Sequence, residues 1–491
     1  MNTLPVAVIG AGPVGLAAAA HLARYHQSFV VLEAGAQPGA AIREWSHVRT
    51  FSPWRYMVDA ASRELLEQAG WRAPDPEALP TGGELVDQYL TPLSTHRALA
   101  PHIRYHARVI AVGRKDFDKV RTKGRDQQPF ELRLSDGTVI EARAVIDASG
   151  TWRQPNPAGS GGVAAAGERE LTDRIAYGIP DVVTRDRHRY ANRRVLVVGS
   201  GHSAFNVILD LLRLADEEPG TQIVWAMRRD NLDAVWGGGA SDALEARGEL
   251  GQRARRAVEA GKIRVLTPYR VRTVSLVGDE LVVSGALRED VTTVAVDQVV
   301  VCTGFRPELA MLSEVRLGLD PWLECPTALG PLIDPNEHSC GTVRPHGARE
   351  LAHPEKDFYI AGMKSYGRAP TFLLATGYEQ VRSIAAMLAG DVAAAERVEL
   401  VLPETGVCST DASTGASSCC APPPVALGIP ITLTATAAPA PAPASGCCGG
   451  PAPAGADACC SDDAAAKAEG KSGCGCGTEQ PLVQIGVRSR S

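Results

Sequence analysis

Three groups of residues in this 491-residue chain have the types and spacing to do chemistry. In the first, Gly10, Gly12 and Gly15 follow the apolar run "VAVI" and precede an Ala-rich one, and Glu33 closes the next apolar run, "SFVVLE". The first glycine of such a trio permits a tight turn, the second lets backbone approach a pyrophosphate, and the third allows close helix–strand packing. The helix behind them presents free N–H groups and a positive dipole end to phosphates, and an acid at the next strand end accepts from a ribose 2′-hydroxyl. The second group repeats the plan as Gly199, Gly201, Ser203 and Ala204, with alanine in third place, but its next strand ends in Arg228 and Arg229. An acid there would repel a 2′-phosphate, whereas a guanidinium grips it bidentately, so this site favours NADPH over NADH.

The third group is nine cysteines beyond residue 400: Cys408, the adjacent pairs Cys419/Cys420, Cys447/Cys448 and Cys459/Cys460, then Cys474 and Cys476. They form no C-x₂-C…C-x₂-C zinc pattern, and no histidine accompanies them. Adjacent cysteines have Cα atoms about 3.8 Å apart, too close for an unstrained bridge. Close thiolate pairs suit soft ions instead: As(III) would take one pair plus a further sulfur, and Hg(II) or Cu(I) two or three. The competing readings are a redox arm on a flexible tether and an inert tail.

The elements around the glycine turns follow one plan twice. "VAVIGAGPVG" (6–15) reads as strand, turn and helix, followed by "SFVVLEAG" and the hairpin pattern "FELRLSDGTVIEARAVIDASG" (130–150), which turns at Asp136-Gly137. "RVLVVGSGHSA" (194–204) opens the second copy, which closes with "ELVVSGALREDVTTVAVDQVVVCTG" (280–304). "FYIAG" (358–362) and the helical stretch behind it return to complete the first domain. The expected fold is α/β: two Rossmann-like dinucleotide-binding domains, the second inserted in the first, plus a disordered Cys-rich C-terminal tail. The boundaries are 1–155 for the first part of one domain, 185–310 for the inserted domain, 330–395 for the return segment, and 400–491 for the low-complexity tail. Runs such as "AAPAPAPAS" bury no core.

Composition narrows the function classes. A net charge of −6 with no basic block argues against a nucleic-acid partner. The run "GRKDFDKVRTKGRD" (113–126) mixes signs and reads as a solvated loop. No stretch reaches membrane-spanning length without Pro or charge, and the start lacks the basic flank of a signal peptide. A cytoplasmic setting follows, where clustered cysteines mean metal or redox chemistry more often than disulfides. Cys302 reads as a small core residue, Cys325 and Cys340 as surface thiols.

With an acid-ended first unit and an arginine-ended second, residues 1–395 resemble the two-dinucleotide-binding-domain flavoproteins. The resemblance rests on "GAGPVG" with Glu33, "GSGHSA", "DASGTW", "VVCTGFRP" and "FYIAG", the last placing Gly362 near the cofactor. It implies FAD at the first site and NADPH at the second. "PGAAIREW" (38–45) is similar to a segment of class B flavin monooxygenases, which implies hydride transfer from NADPH to FAD and oxygenation of a soft heteroatom or a carbonyl. It also makes Trp45, His47, Arg49 and Trp54 candidates to line the flavin cavity, with no side chain assigned as catalytic acid or base. The fingerprint F-x-G-x-x-x-H of those monooxygenases is degraded here: after Tyr177-Gly178 the nearest histidine is His188. The disulfide reductases' flavin-proximal cysteine pair is missing, since no cysteine precedes Cys302. With its tail, the chain also resembles flavoproteins encoded beside arsenic-resistance genes.

The expected activity is thus an FAD- and NADPH-dependent oxidoreductase, monooxygenase-like, acting on a small molecule and handling thiophilic metalloid or metal compounds held at the tail. The alternatives are a reductase of thiol-bound metal and a metalloid-binding chaperone or buffer with a structural flavin.

Overall fold

The computed structural model describes residues 4–400 except 233–234, 237–244, 338–342 and 371. The nine tail cysteines and Cys340 therefore lie outside the described residues.

In the first domain the short apolar runs become strands: β1 (Val6–Ile9), β2 (Phe29–Leu32), β3 (Ile103–Arg104), an antiparallel meander of β4 (Val109–Arg114), β5 (Phe130–Leu134) and β6 (Val139–Ala142), and β7 (Ala144–Asp147). The second domain contributes β8 (Ile175–Tyr177), β9 (Arg194–Val198), β10 (Gln222–Ala226), β11 (Arg264–Leu266), a second meander of β12 (Tyr269–Val277), β13 (Glu280–Leu287) and β14 (Asp290–Val296), and β15 (Gln298–Val301); β16 (Phe358–Ile360) comes last. The first sheet has the order β16-β7-β1-β2-β3 and the second β11-β10-β9-β15-β8, with every pairing parallel. The return strand β16 pairs with β7, so the chain leaves the first sheet, builds the second and comes back. β8 joins the second sheet from residues before 185, so that sheet recruits chain ahead of the expected boundary.

Strand parity explains why both domains are layered alike. Val6 and Val8 of β1 pack with Leu16 and Leu22 of the helix Pro13–Arg24. Ala7 and Ile9 turn to the other face, against Phe130 and Leu132 of the meander. In the second domain Val195 and Val197 meet Phe205 and Leu211 of the helix His202–Glu217, while Leu196 and Val198 meet Val274 and Val283. A period of two along a strand buried on both faces produces a helix layer on one side and a meander on the other.

Two expectations are corrected. The run 113–126 is not wholly solvated: Arg114 and Arg125 are buried, and both donate to buried Glu355. Arg114 also lies 3.7 Å from the Phe130 ring centroid, so an apolar strand end shelters one arginine and a carboxylate gathers both. Cys325 is not a surface thiol but fully buried in the first core, because its loop folds back through Leu319 and Pro326. Burial, with Asp320 adding to it, pushes its thiol up to about 12. Cys302 is a buried core residue as expected, its thiol pushed well up by burial.

Candidate dinucleotide sites

The first glycine turn follows β1, the central strand of its sheet. Gly10 adopts φ +100°, and a Cβ there would lie 2.9 Å from Ala148 O on the strand end after β7. A Cβ on Gly15 would lie 1.9 Å from Gly10 O, so the helix packs against the turn as only glycine permits. Gly12 differs: a Cβ on it meets nothing within 4 Å. It caps the helix Pro13–Arg24 in extended backbone, with no side chain satisfying the first N–H groups. Two glycines for packing and one facing open space at an uncapped helix N-terminus form a cradle that fits a pyrophosphate.

Glu33 stands beside the same turn. Its Oε2 accepts from Ala11 N at 2.7 Å and its Oε1 from Gly35 N at 2.7 Å. Each carboxylate oxygen keeps a lone pair for a hydroxyl donor. Gly362, at φ +71°, presses on Val14, with a prospective Cβ 3.3 Å away. Its N–H donates to Gln380 Oε1 at 2.7 Å. Gln380 Nε2 donates to His346 Nε2 at 2.8 Å and to Ser365 Oγ at 2.9 Å, and Ser365 Oγ donates to Gly362 O at 2.7 Å. His346 donates from Nδ1 to Arg344 O at 3.0 Å, and burial lowers its pKa, which keeps Nε2 free to accept. This buried network fixes the return segment against the first turn.

The second turn reproduces the first. Gly199 adopts φ +130°, with a prospective Cβ 2.3 Å from Cys302 O; Gly201, the extended cap of the helix His202–Glu217, faces nothing within 4 Å. Ala204 is fully buried, filling the place of the third glycine, and Ser203 is half-buried in the first helical turn. Arg228 follows β10 and is exposed, donating from Nη1 to Ser160 O at 2.9 Å. Arg229 is half-buried, and its carbonyl accepts from the Thr267 hydroxyl.

Of the four residues expected near the flavin, two lie where the domains meet. The Trp45 ring is 6.4 Å from that of Trp152, whose ring in turn lies 4.8 Å from Phe305 of the second domain, tilted by 30°. His47 is half-buried; burial lowers its pKa, and Asp181 of the second domain opposes the shift. Trp54 is instead buried in the first core, and Arg49 is exposed, bonded to Leu79 O. Phe51, which the sequence did not single out, has its ring 5.3 Å from that of His202 at the second turn, tilted by 44°. Buried Asp147 and Lys364 were also missed: Lys364 Nζ donates to Asp147 Oδ2 at 2.7 Å and to Ser149 Oγ at 3.1 Å beside the first turn. A polar residue at the end of an apolar strand was the signal for Asp147, but Lys364 lies far along the chain.

Among the described residues no cluster of His, Cys, Asp and Glu could hold a metal ion, and no helix is long and apolar enough to cross a membrane. The cysteines proposed as metal ligands lie outside the described residues.

The chain is similar to the ferredoxin–NADP reductase of Thermus thermophilus, 26% identical over 344 residues, spanning 69% of this chain and 84% of that one. It is also similar to a flavin-containing monooxygenase of Arabidopsis thaliana, 25% identical over 240 residues, 43% of this chain and about half (48%) of that one. In fold it is similar to the bacillithiol disulfide reductase of Bacillus cereus, with TM-score 0.57 and 18% identity, covering 79% of this chain and 99% of that one. Residues 7–327 match the pyridine nucleotide-disulphide oxidoreductase family. The chain belongs to that family: it is a two-dinucleotide flavoprotein oxidoreductase that uses FAD and NADP(H).

Proposed function

We propose that this protein is an NADPH-specific, monooxygenase-like flavoenzyme that handles thiophilic metalloid compounds such as those of arsenic, captured by the tail cysteines in the cytoplasm. FAD would be held by Gly10, Gly12, Gly15, Glu33 and Gly362, and NADPH by Gly199, Gly201, Ser203, Ala204, Arg228 and Arg229. The flavin supplies the capacity to take two electrons from the nicotinamide and pass them on. The chain's own residues bind both dinucleotides and orient them, with Trp152 meeting Phe305 and Phe51 meeting His202 where the two domains face each other.

The observation that carries the metalloid reading is the state of the thiols among the described residues. Cys302 and Cys325, the described cysteines, are both buried and free, with pKa values raised by burial. A thiol held protonated is neither a soft-metal ligand nor a nucleophile. With both described thiols withdrawn, soft-ion capture is assigned to Cys408, Cys419, Cys420, Cys447, Cys448, Cys459, Cys460, Cys474 and Cys476, whose close pairs suit such ions.

A second reading, reduction of metal or metalloid bound to those thiols, is favoured by the family match and the Thermus reductase relative. NADPH consumption by the full-length protein and by a truncation after residue 400, with and without arsenite and with and without oxygen, separates the readings. Arsenite-stimulated oxidation that consumes oxygen and needs the tail supports the first. Anaerobic stimulation supports the second, and an arsenite response that survives truncation removes the tail from both. A protein that binds FAD but never oxidises NADPH leaves only a metalloid buffer.

A further inference from the structure

Between the two sheets runs a loop that neither glycine turn accounts for. Two of its glycines are sterically required: a Cβ on Gly159 would lie 2.0 Å from Val163 O, and one on Gly167, at φ +80°, 2.0 Å from Val274 O. At its hub Glu168 is 0% exposed. Its Oε1 accepts from Ala158 N at 2.8 Å and Tyr177 Oη at 2.7 Å, and its Oε2 from Ala165 N at 2.7 Å and Gly159 N at 3.3 Å. Three amides and a phenol thus hold one buried carboxylate. A buried anion is a costly way to organise a surface loop unless the position of the loop's tip matters.

That tip touches two guanidiniums. Ser160 O accepts from Arg228 Nη1 at 2.9 Å, and Gly162 O accepts from Arg306 Nη2 at 3.0 Å. Arg228 follows β10 and Arg306 follows β15, the strands on either side of β9, whose end carries the second glycine turn. Ser160 N and Ala166 N tie the loop to β12 through Val271 O and Arg272 O. The loop therefore lies at the strand ends where dinucleotides bind in open α/β sheets.

We propose that Glu168 is the positioning residue that sets the preference for a 2′-phosphorylated over an unphosphorylated dinucleotide, by clamping the loop whose Ser160 carbonyl orients Arg228. The inference rests on Arg228 gripping the 2′-phosphate. With Nη1 engaged by Ser160 O, the guanidinium is tethered at the loop tip, and the Nε–Nη2 edge of the exposed side chain is the one suited to bidentate contact. Tyr177, which directly precedes Gly178, is the second half of the clamp. Burial and Glu168 push its pKa up, so its hydroxyl stays a donor.

The test is calorimetric binding of NADP⁺ and of NAD⁺ to the full-length, flavin-loaded protein, with no turnover involved. Glu168→Gln turns an acceptor oxygen into an NH₂ facing N–H donors, and should weaken NADP⁺ about three- to tenfold while leaving NAD⁺ unchanged. Tyr177→Phe, which removes one donor of four, should lower the same ratio by a smaller factor, and it carries the test if Glu168→Gln fails to fold. Arg228→Gln should lower NADP⁺ affinity about tenfold or more, again selectively. If Arg228→Gln is selective but both clamp variants keep the parent ratio, or weaken both nucleotides equally, the clamp is overturned and the Arg228 reading stands. If Arg228→Gln leaves the ratio unchanged, the Arg228 reading falls and takes the clamp with it.

Discussion

The glycines of the first turn make opposite predictions although they lie within six residues, and Gly12→Val is the sharper. Gly12 has φ −77° and ψ −176°, which any L-residue adopts, and a Cβ there touches nothing within 4 Å. The free protein should tolerate valine. Losing glycine at a helix cap costs about 1 kcal/mol, and a stiffer unfolded chain returns about 0.4–1 kcal/mol. Bound FAD would meet the new side chain, because that open space is where backbone must approach the pyrophosphate. Losing one or two charge-assisted hydrogen bonds, at about 1.5–3 kcal/mol each, weakens binding by about tenfold to about twenty-thousandfold. Gly15→Ala is the control: its Cβ would sit 1.9 Å from Gly10 O, so the turn must break and the apo-protein itself should be lost. The assay is flavin content on purification, FAD titration of the apo-protein, and apo-protein melting temperature. Gly12→Val purified with parental flavin content, or an apo Gly12→Val that melts as low as Gly15→Ala, would refute the assignment of the open space to the cofactor.

Gly201→Val should behave likewise at the other site, losing NADP⁺ affinity in calorimetry while keeping FAD and melting temperature. Glu355→Ala leaves the buried guanidiniums of Arg114 and Arg125 without their shared carboxylate, and should cost about 3–5 kcal/mol in denaturant unfolding. Acid should act on the body through His353: burial lowers it from 6.5 to about 4, so between those values the unfolded chain binds a proton that the native chain refuses, a loss that Asp210, raised to about 6 by burial, partly offsets. Melting temperature should therefore fall as pH drops through that window, and His353→Asn should flatten the fall. Glu355 adds to the loss at the acid end: the hydrogen bonds from Arg125 and Arg114 outweigh burial and hold its pKa down, so its stabilisation is lost as pH falls from the ordinary carboxylate range through that lowered value.

What was legible in the sequence is what is local along the chain. A four-residue apolar strand, a glycine turn and an apolar helix fix one another within twenty residues, and both turns stand with the same open and closed glycine positions. The meanders were legible for the same reason, since Gly137 at φ +86° closes a hairpin between adjacent strands. Long-range polar closure was not. Lys364 finds Asp147 across 217 positions, and Arg114 finds Glu355 across 241. Nothing in "GMKSYG" or "GRKDFDKVRTKGRD" marks one lysine or two arginines as buried while their neighbours are solvated. Charge alone puts such residues outside, and only the return segment, which follows the whole second domain in the chain, brings each pair together. The same limit hid Phe51, whose contact with His202 exists only because two separately encoded domains meet. Sequence reading thus recovers the two glycine turns, whereas the groups that position those turns appear only when distant segments close on them.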